Sequence, residues 1–163
     1  NPAEGDFRWN NVYLTNARML SERGIPVVSV FHDAPKWTKG PLTSLAHDLF
    51  AVYRFAKASA EQYGSMIKAW EVWNEADINF CYDGAWDMAA MQKAAYLGFK
   101  AGDPNAAVLI GSSAEVPLPR YFHTIFENEV ADHFDVFNYH IYRKVNEFEP
   151  LVASVTNVLV LAP

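Results

Sequence analysis

Residues 69–75 read Ala69-Trp70-Glu71-Val72-Trp73-Asn74-Glu75. Aromatic, apolar and β-branched side chains dominate the first five positions. The run is too short for an ordinary helix, so it predicts a strand that ends on two polar groups, Asn74 and Glu75. On its N-terminal side, a helix is predicted from Leu45 to Tyr63, with Ser44 as its cap and Gly64 as its stop. Before that helix, Pro26-Val27-Val28-Ser29-Val30-Phe31 forms a second strand-like run, itself preceded by a predicted helix from Trp9 to Arg23 that Gly24 ends. On the C-terminal side, a helix is expected over Met88–Ala101, a strand over Ala107–Gly111 and a helix over Arg120–Asn128. A strand over Asp135–His140 and a last helix over Phe148–Asn157 follow, and Val158–Leu161 reads as the start of one more strand.

Short apolar strands that alternate with helices predict β/α crossover units and a parallel sheet, hence an α/β fold. No linker, charge block or low-complexity segment divides the chain, so residues 1–163 read as one domain. The strand starts near 26, 69, 107 and 135 lie 43, 38 and 28 residues apart, a structural rhythm and not a sequence repeat.

Composition narrows the function. The chain has 163 residues, of which 51% are hydrophobic and 20% charged, a balance that excludes a disordered tail, a collagen-like rod or a disulfide scaffold. Its formal net charge is −6 and no Lys/Arg cluster is present, which argues against nucleic acid as a partner. No apolar run approaches the ~18 residues needed to cross a bilayer. The stretch Asn1-Pro2-Ala3-Glu4-Gly5-Asp6 lacks the pattern of a signal peptide and leaves the compartment open, with a secreted or periplasmic setting favoured over a cytoplasmic one. A single cysteine, Cys81, excludes an internal disulfide and a cysteine-based zinc site.

In parallel β/α architectures, reactive side chains stand at the C-terminal ends of the strands. Here those ends carry His32-Asp33, Asn74-Glu75, Ser112-Ser113 with Glu115 beyond, and His140 with Tyr142, whereas the opposite ends carry Pro26, Ala69 and Ala107. Each residue has an ordinary structural reading: Asn74 as a cap, Asp33 as a turn residue, a strand-end histidine as scaffold. The coincidence at four strand ends is what points to an enzyme.

The string Trp70-Glu71-Val72-Trp73-Asn74-Glu75 resembles the fourth-strand motif of the large clan of retaining glycoside hydrolases built on (β/α)8 barrels. Ala101-Gly102-Asp103-Pro104-Asn105 before Val108-Leu109-Ile110-Gly111 is similar to the clan's passage into its fifth strand, and Phe137-Asn138-Tyr139-His140-Ile141-Tyr142 to its sixth. The nearest similarity is to the β-xylosidase and α-iduronidase family, family 39. The resemblance, over about residues 26–142, implies a TIM (β/α)8 barrel present in part, as about strands three to six, with a carbohydrate substrate and no cofactor or metal. It implies Glu75 as the general acid/base and Asn74 as the anchor of the sugar hydroxyl beside the reacting carbon. His140 and Tyr142 would orient the nucleophile and the sugar, and His32 would line the sugar subsite.

Retention needs one carboxyl to protonate the leaving oxygen and a second, roughly 5 Å away, to attack the anomeric carbon. The acid must start protonated, so apolar surroundings, with Trp70, Val72 and Trp73 as the company, together with the nearby nucleophile are expected to raise the Glu75 pKa toward ~6. Trp37 and Trp86, both expected in loops, are candidate platforms for sugar rings. With Trp73 and Glu115 they complete the predicted substrate-binding set. The clan's nucleophile is a Glu ending strand seven, and no Glu here occupies that position. Glu147 and Glu149 follow the sixth strand, and Glu115 does not match the motif. The chain therefore reads as a piece of a full barrel whose remainder comes from other sequence. Eight units at the mean interval of about 36 residues would need nearly 300, against ~250 for a typical barrel. Two rivals stand beside this reading. One is a metal-dependent barrel hydrolase or isomerase that uses His32, Asp33, Glu75 and His140 as ligands. The other is a non-catalytic carbohydrate-binding remnant.

Overall fold

The computed structural model describes residues 5–9, 11–38 and 40–161. The opening residues 1–4, read above for a signal peptide, and residues 162 and 163 lie outside them. Four strands, β1 (Val27–Phe31), β2 (Ile67–Asn74), β3 (Ala107–Ser113) and β4 (Val136–Tyr139), form one parallel sheet in the order β1-β2-β3-β4. Helices α1 (Asn11–Glu22), α2 (Leu49–Tyr63), α3 (Ala85–Gly102), α4 (Arg120–Glu127) and α5 (Phe148–Leu161) alternate with them. Parallel neighbours cannot be joined by a hairpin, and each crossover here is a helix. None of the described helices is long and apolar enough to cross a membrane.

Register and alternation sort the strand residues onto two faces. Phe31, Val72, Ile110 and Phe137 are cross-strand partners in one row, and this row faces the helices. Phe31 rests against Phe55 of α2 and Phe99 of α3, while Phe137 packs on Phe122 and Phe126 of α4. Trp70 lies on the same face, stacked on Phe99 with ring centroids 4.7 Å apart. One residue along, Val30, Glu71, Leu109 and Val136 form the row on the opposite face.

Helices α2 and α3 meet closely because small residues line their contact. A Cβ at Gly98 would come within 2.5 Å of the Tyr53 carbonyl oxygen. The sheet has a similar pinch. Trp73 has φ of +71°, and a Cβ at the neighbouring Gly111 would sit 2.2 Å from the Val72 carbonyl oxygen, so β3 needs glycine where it passes that irregularity.

Three element predictions are corrected. Helix α2 starts at Leu49, because Asp48 accepts the Ala51 amide and is the true cap, while the Leu45 amide is bound to Asp83 in a distant loop. Helix α3 begins at Ala85, which places Trp86 in a helical first turn and not in a loop. Val158–Leu161 continues helix α5 and starts no strand.

Candidate active site

The C-terminal end of β2 brings its last residue, Asn74, and the following Glu75 to the rim of the sheet. Both Trp73 and Glu75 have positive φ, +71° and +46°, outside the region that such side chains normally adopt. The turn is held by neighbours on β3. Ser112 Oγ donates to Asn74 Oδ1 at 3.1 Å and accepts from the Glu75 amide at 3.3 Å. Two residues beyond Glu75, the Asp77 carboxylate accepts from Ser113 Oγ and from the Ala114 amide. These bonds fix a backbone that would otherwise relax.

β4 ends at Tyr139, and the His140 amide extends the ladder by donating to the Ser113 carbonyl at 2.8 Å. The His140 ring then reaches Glu75, with Nδ1 2.5 Å from Oε1. Tyr142 donates its hydroxyl to the same oxygen at 2.6 Å, and that hydroxyl lies 3.1 Å from His140 Nδ1. Two donors therefore converge on Oε1 of a carboxyl that is 6% exposed. Beneath them, Glu71 Oε1 accepts from the Ser112 amide at 3.2 Å and from Asn138 Nδ2 at 2.9 Å.

The electrostatics differ from the expectation. Burial pushes the Glu75 carboxyl upward, but the hydrogen bonds from Tyr142 and His140 and the His140 charge outweigh it, and the carboxyl sits below its ordinary value. The predicted rise toward neutrality is thus reversed in this chain. Trp70 and Val72 face the helices on the other side of the sheet, so the apolar company expected of them is not next to the carboxyl. The hydrogen bond to Glu75 in turn raises the Tyr142 phenol.

Of the residues expected to bind substrate, His32, Trp37 and Trp73 come together as walls of one cavity of about 290 Å³. His32 stands edge-on to Trp73, with centroids 6.2 Å apart, and its Nδ1 lies 3.0 Å from Asp33 Oδ1. Trp86 and Glu115 are not part of that cavity. Trp86 is exposed on α3, and Glu115 is exposed in the loop after β3, where its carbonyl accepts from Ser113 Oγ. The four candidate metal ligands separate into two pairs, His32 with Asp33 and Glu75 with His140. Among the described residues no three His, Cys, Asp or Glu side chains are placed to hold a metal ion.

Three solved structures resemble this arrangement of strands and helices. A family 39 glycoside hydrolase from the gut symbiont Bacteroides cellulosilyticus WH2 superposes with a TM-score of 0.70 at 16% identity, over 86% of this chain and 30% of that one. The GH53 catalytic domain of Ignisphaera aggregans gives 0.70 at 17% identity, over 96% of this chain and 51% of that one. A psychrophilic family 10 endo-β-1,4-xylanase gives 0.67 at 13%, over 98% and 58%. The fold is a partial (β/α)8 barrel. The chain spans between about a third and somewhat over half the length of these neighbours. No protein-family model and no curated sequence matches it. At such identities the likeness establishes the (β/α)8-type fold, while the chemistry of the site has to be argued from its own side chains.

Sequence reasoning missed Glu71, Asp77 and Asn138 as parts of the site's support and named Ser112 only as one of the polar groups at a strand end. Two of them had a readable signal: a carboxylate in the middle of a buried apolar strand and an asparagine inside the strand-like run two strands away both require a partner.

Proposed function

We propose that this chain is the central part of a retaining glycoside hydrolase barrel that cleaves O-glycosidic bonds in oligo- or polysaccharides, with Glu75 as its general acid/base. The observation that carries the reading is the convergence of His140 and Tyr142 on Oε1 of Glu75. With two donors occupying Oε1, proton transfer to and from a substrate falls to Oε2. Asn74, held by Ser112, anchors the hydroxyl next to the reacting carbon, and His32, Trp37 and Trp73, which share one cavity, are assigned to sugar binding. The remainder of the barrel supplies the second carboxylate, the nucleophile, from sequence outside this chain.

The depressed Glu75 carboxyl fits the second half of the reaction, in which the ionised group takes a proton from the attacking water. The first half needs the protonated form. A nucleophile carboxylate roughly 5 Å away would raise Glu75 by charge repulsion until sugar transfer neutralises it. One carboxyl can then serve as acid and afterwards as base.

In the complete enzyme, Glu75→Ala should cost about 10²–10⁴ in kcat/KM on glycosides with poor leaving groups and far less on activated aryl glycosides that depart without a proton. Equal losses on both substrate types would refute the assignment.

A further inference from the structure

The face of the sheet turned away from the helices is apolar except at one point. Its two rows are Val28–Ala69–Ala107 and Val30–Glu71–Leu109–Val136, and Glu71 is the one charged side chain in them. Val28, Val30 and Val136 are exposed. β1 and β4 are the edge strands, and neither has a second neighbouring strand among the described residues. An apolar face between two unpaired edges is built to be covered.

Glu71 decides what can cover it. The side chain is buried, and its Oε1 accepts from the Ser112 amide at 3.2 Å and from Asn138 Nδ2 at 2.9 Å. Both donors are neutral. Its Oε2 has no hydrogen-bond partner, and the carboxylate no counter-charge, among the described residues. Closing the barrel would take the remaining water from that oxygen, and a buried carboxylate without a counter-charge is strongly disfavoured. A second copy of this chain is a poor occupant. It would bring a second Glu71 toward the same axis, where two like charges oppose each other's ionisation. The face calls for the opposite sign.

We propose that this face is covered by parallel strands that continue the sheet from β1 and β4 and present one arginine or lysine toward the axis, where the cation pairs with Oε2 of Glu71. Apolar side chains around that cation meet Val28, Val30, Leu109 and Val136. Arginine suits the place best, since its fork can hold the carboxylate and still reach other acceptors. The inference rests on the partial-barrel fold and on the open rows, and it is independent of the hydrolase function proposed above.

Glu71→Gln is the variant that tests it, because it keeps an oxygen for both neutral donors and removes the charge. In the purified chain, denaturant titration should show the unfolding constant raised by no more than about threefold. In the complete barrel the same substitution strands the incoming cation, and the constant should rise about a hundredfold or more. The cation is then found by replacing each arginine and lysine outside residues 1–163 with methionine, in the wild-type and in the Glu71→Gln background. One of them should be costly in the first background and change the constant no more than about threefold in the second. If Glu71→Gln alone prevents the complete barrel from folding, the double variant that also lacks this cation should fold again. Equally small effects of Glu71→Gln in the chain and in the complete barrel, or the absence of any coupled cation, would overturn the proposal. So would a dimer of the purified chain at pH 7 that Val30→Lys dissociates, since a second copy would then occupy the face.

Discussion

The two faces of the four-stranded sheet are built from adjacent residues of the same strands, yet they differ in almost every physical respect. The helix-side row, Phe31–Val72–Ile110–Phe137, is wholly apolar, and Val72 and Ile110 are 0% exposed. The opposite row, Val30–Glu71–Leu109–Val136, leaves Val30 41% and Val136 44% exposed and includes a carboxylate. One face is finished: rings from α2, α3 and α4 cover it. The other is a layer of a barrel interior seen from the axis, where side chains from alternate strands normally meet. Its polar spine, from Glu71 through Ser112 to Asn74 and the Glu75 amide, is the footing of the site. The covered face therefore supplies the stability of this chain, and the open face carries the chemistry proposed for Glu75.

The sharpest way to break that division is on the covered side. Phe99 is 0% exposed and touches both Phe31 and Trp70, so Phe99→Ala removes a ring that two strands share. A loss of about 3–5 kcal/mol is expected, enough to unfold a marginal domain, and denaturant titration measures it.

On the open face the largest effect should come from the spine. Glu71→Ala leaves the Ser112 amide and the Asn138 side chain without their shared acceptor, at a cost of about 1–3 kcal/mol. Glu71→Gln retains an oxygen for both donors and should cost less. The comparison of the two in thermal melts separates lost hydrogen bonding from lost charge.

Much of this organisation was legible in the strand pattern. Alternation and strand ends placed Asn74, Glu75 and His140 at one end of a parallel sheet, because that reading depends only on local period and on where apolar runs stop. What failed depended on distant partners. Ser44 looked like a helix cap, but Asp83, 38 residues beyond Leu45, decides where α2 begins. Val158–Leu161 is apolar enough for either a strand or a buried helix, and periodicity does not separate the two in so short a run. The direction of the Glu75 shift was misjudged for a related reason. Trp70 and Val72 project to the other face, and the groups that control the carboxyl lie 65 and 67 residues away.

The titration of Glu75 gives a smaller, pH-specific effect. A carboxyl whose folded value is depressed stabilises the native state above its unfolded value and loses that contribution as pH falls through the folded one. Starting from an ordinary value of 4.5, the wild-type chain should be more stable than Glu75→Gln at neutral pH. The difference should shrink as the pH falls below that ordinary value and vanish once it has passed the depressed folded one. A stability gap independent of pH would show that His140 and Tyr142 do not favour the ionised form.

The smallest effect is the most discriminating. Val30 and Phe31 are consecutive, equally apolar in pattern, and point to opposite faces. If the open face adds little to the stability of this chain, Val30→Lys should change it by no more than about 0.5 kcal/mol, as at an exposed site. Phe31→Lys would push a charge between α2 and α3 and should prevent folding, since an unpaired buried charge costs several kcal/mol. Within the complete barrel, where the axis is enclosed, the lysine at position 30 would be buried among aliphatic side chains and should become as damaging as the one at position 31. The same substitution, nearly silent in one context and disruptive in the other, would measure how far the open face is an interior awaiting its other half.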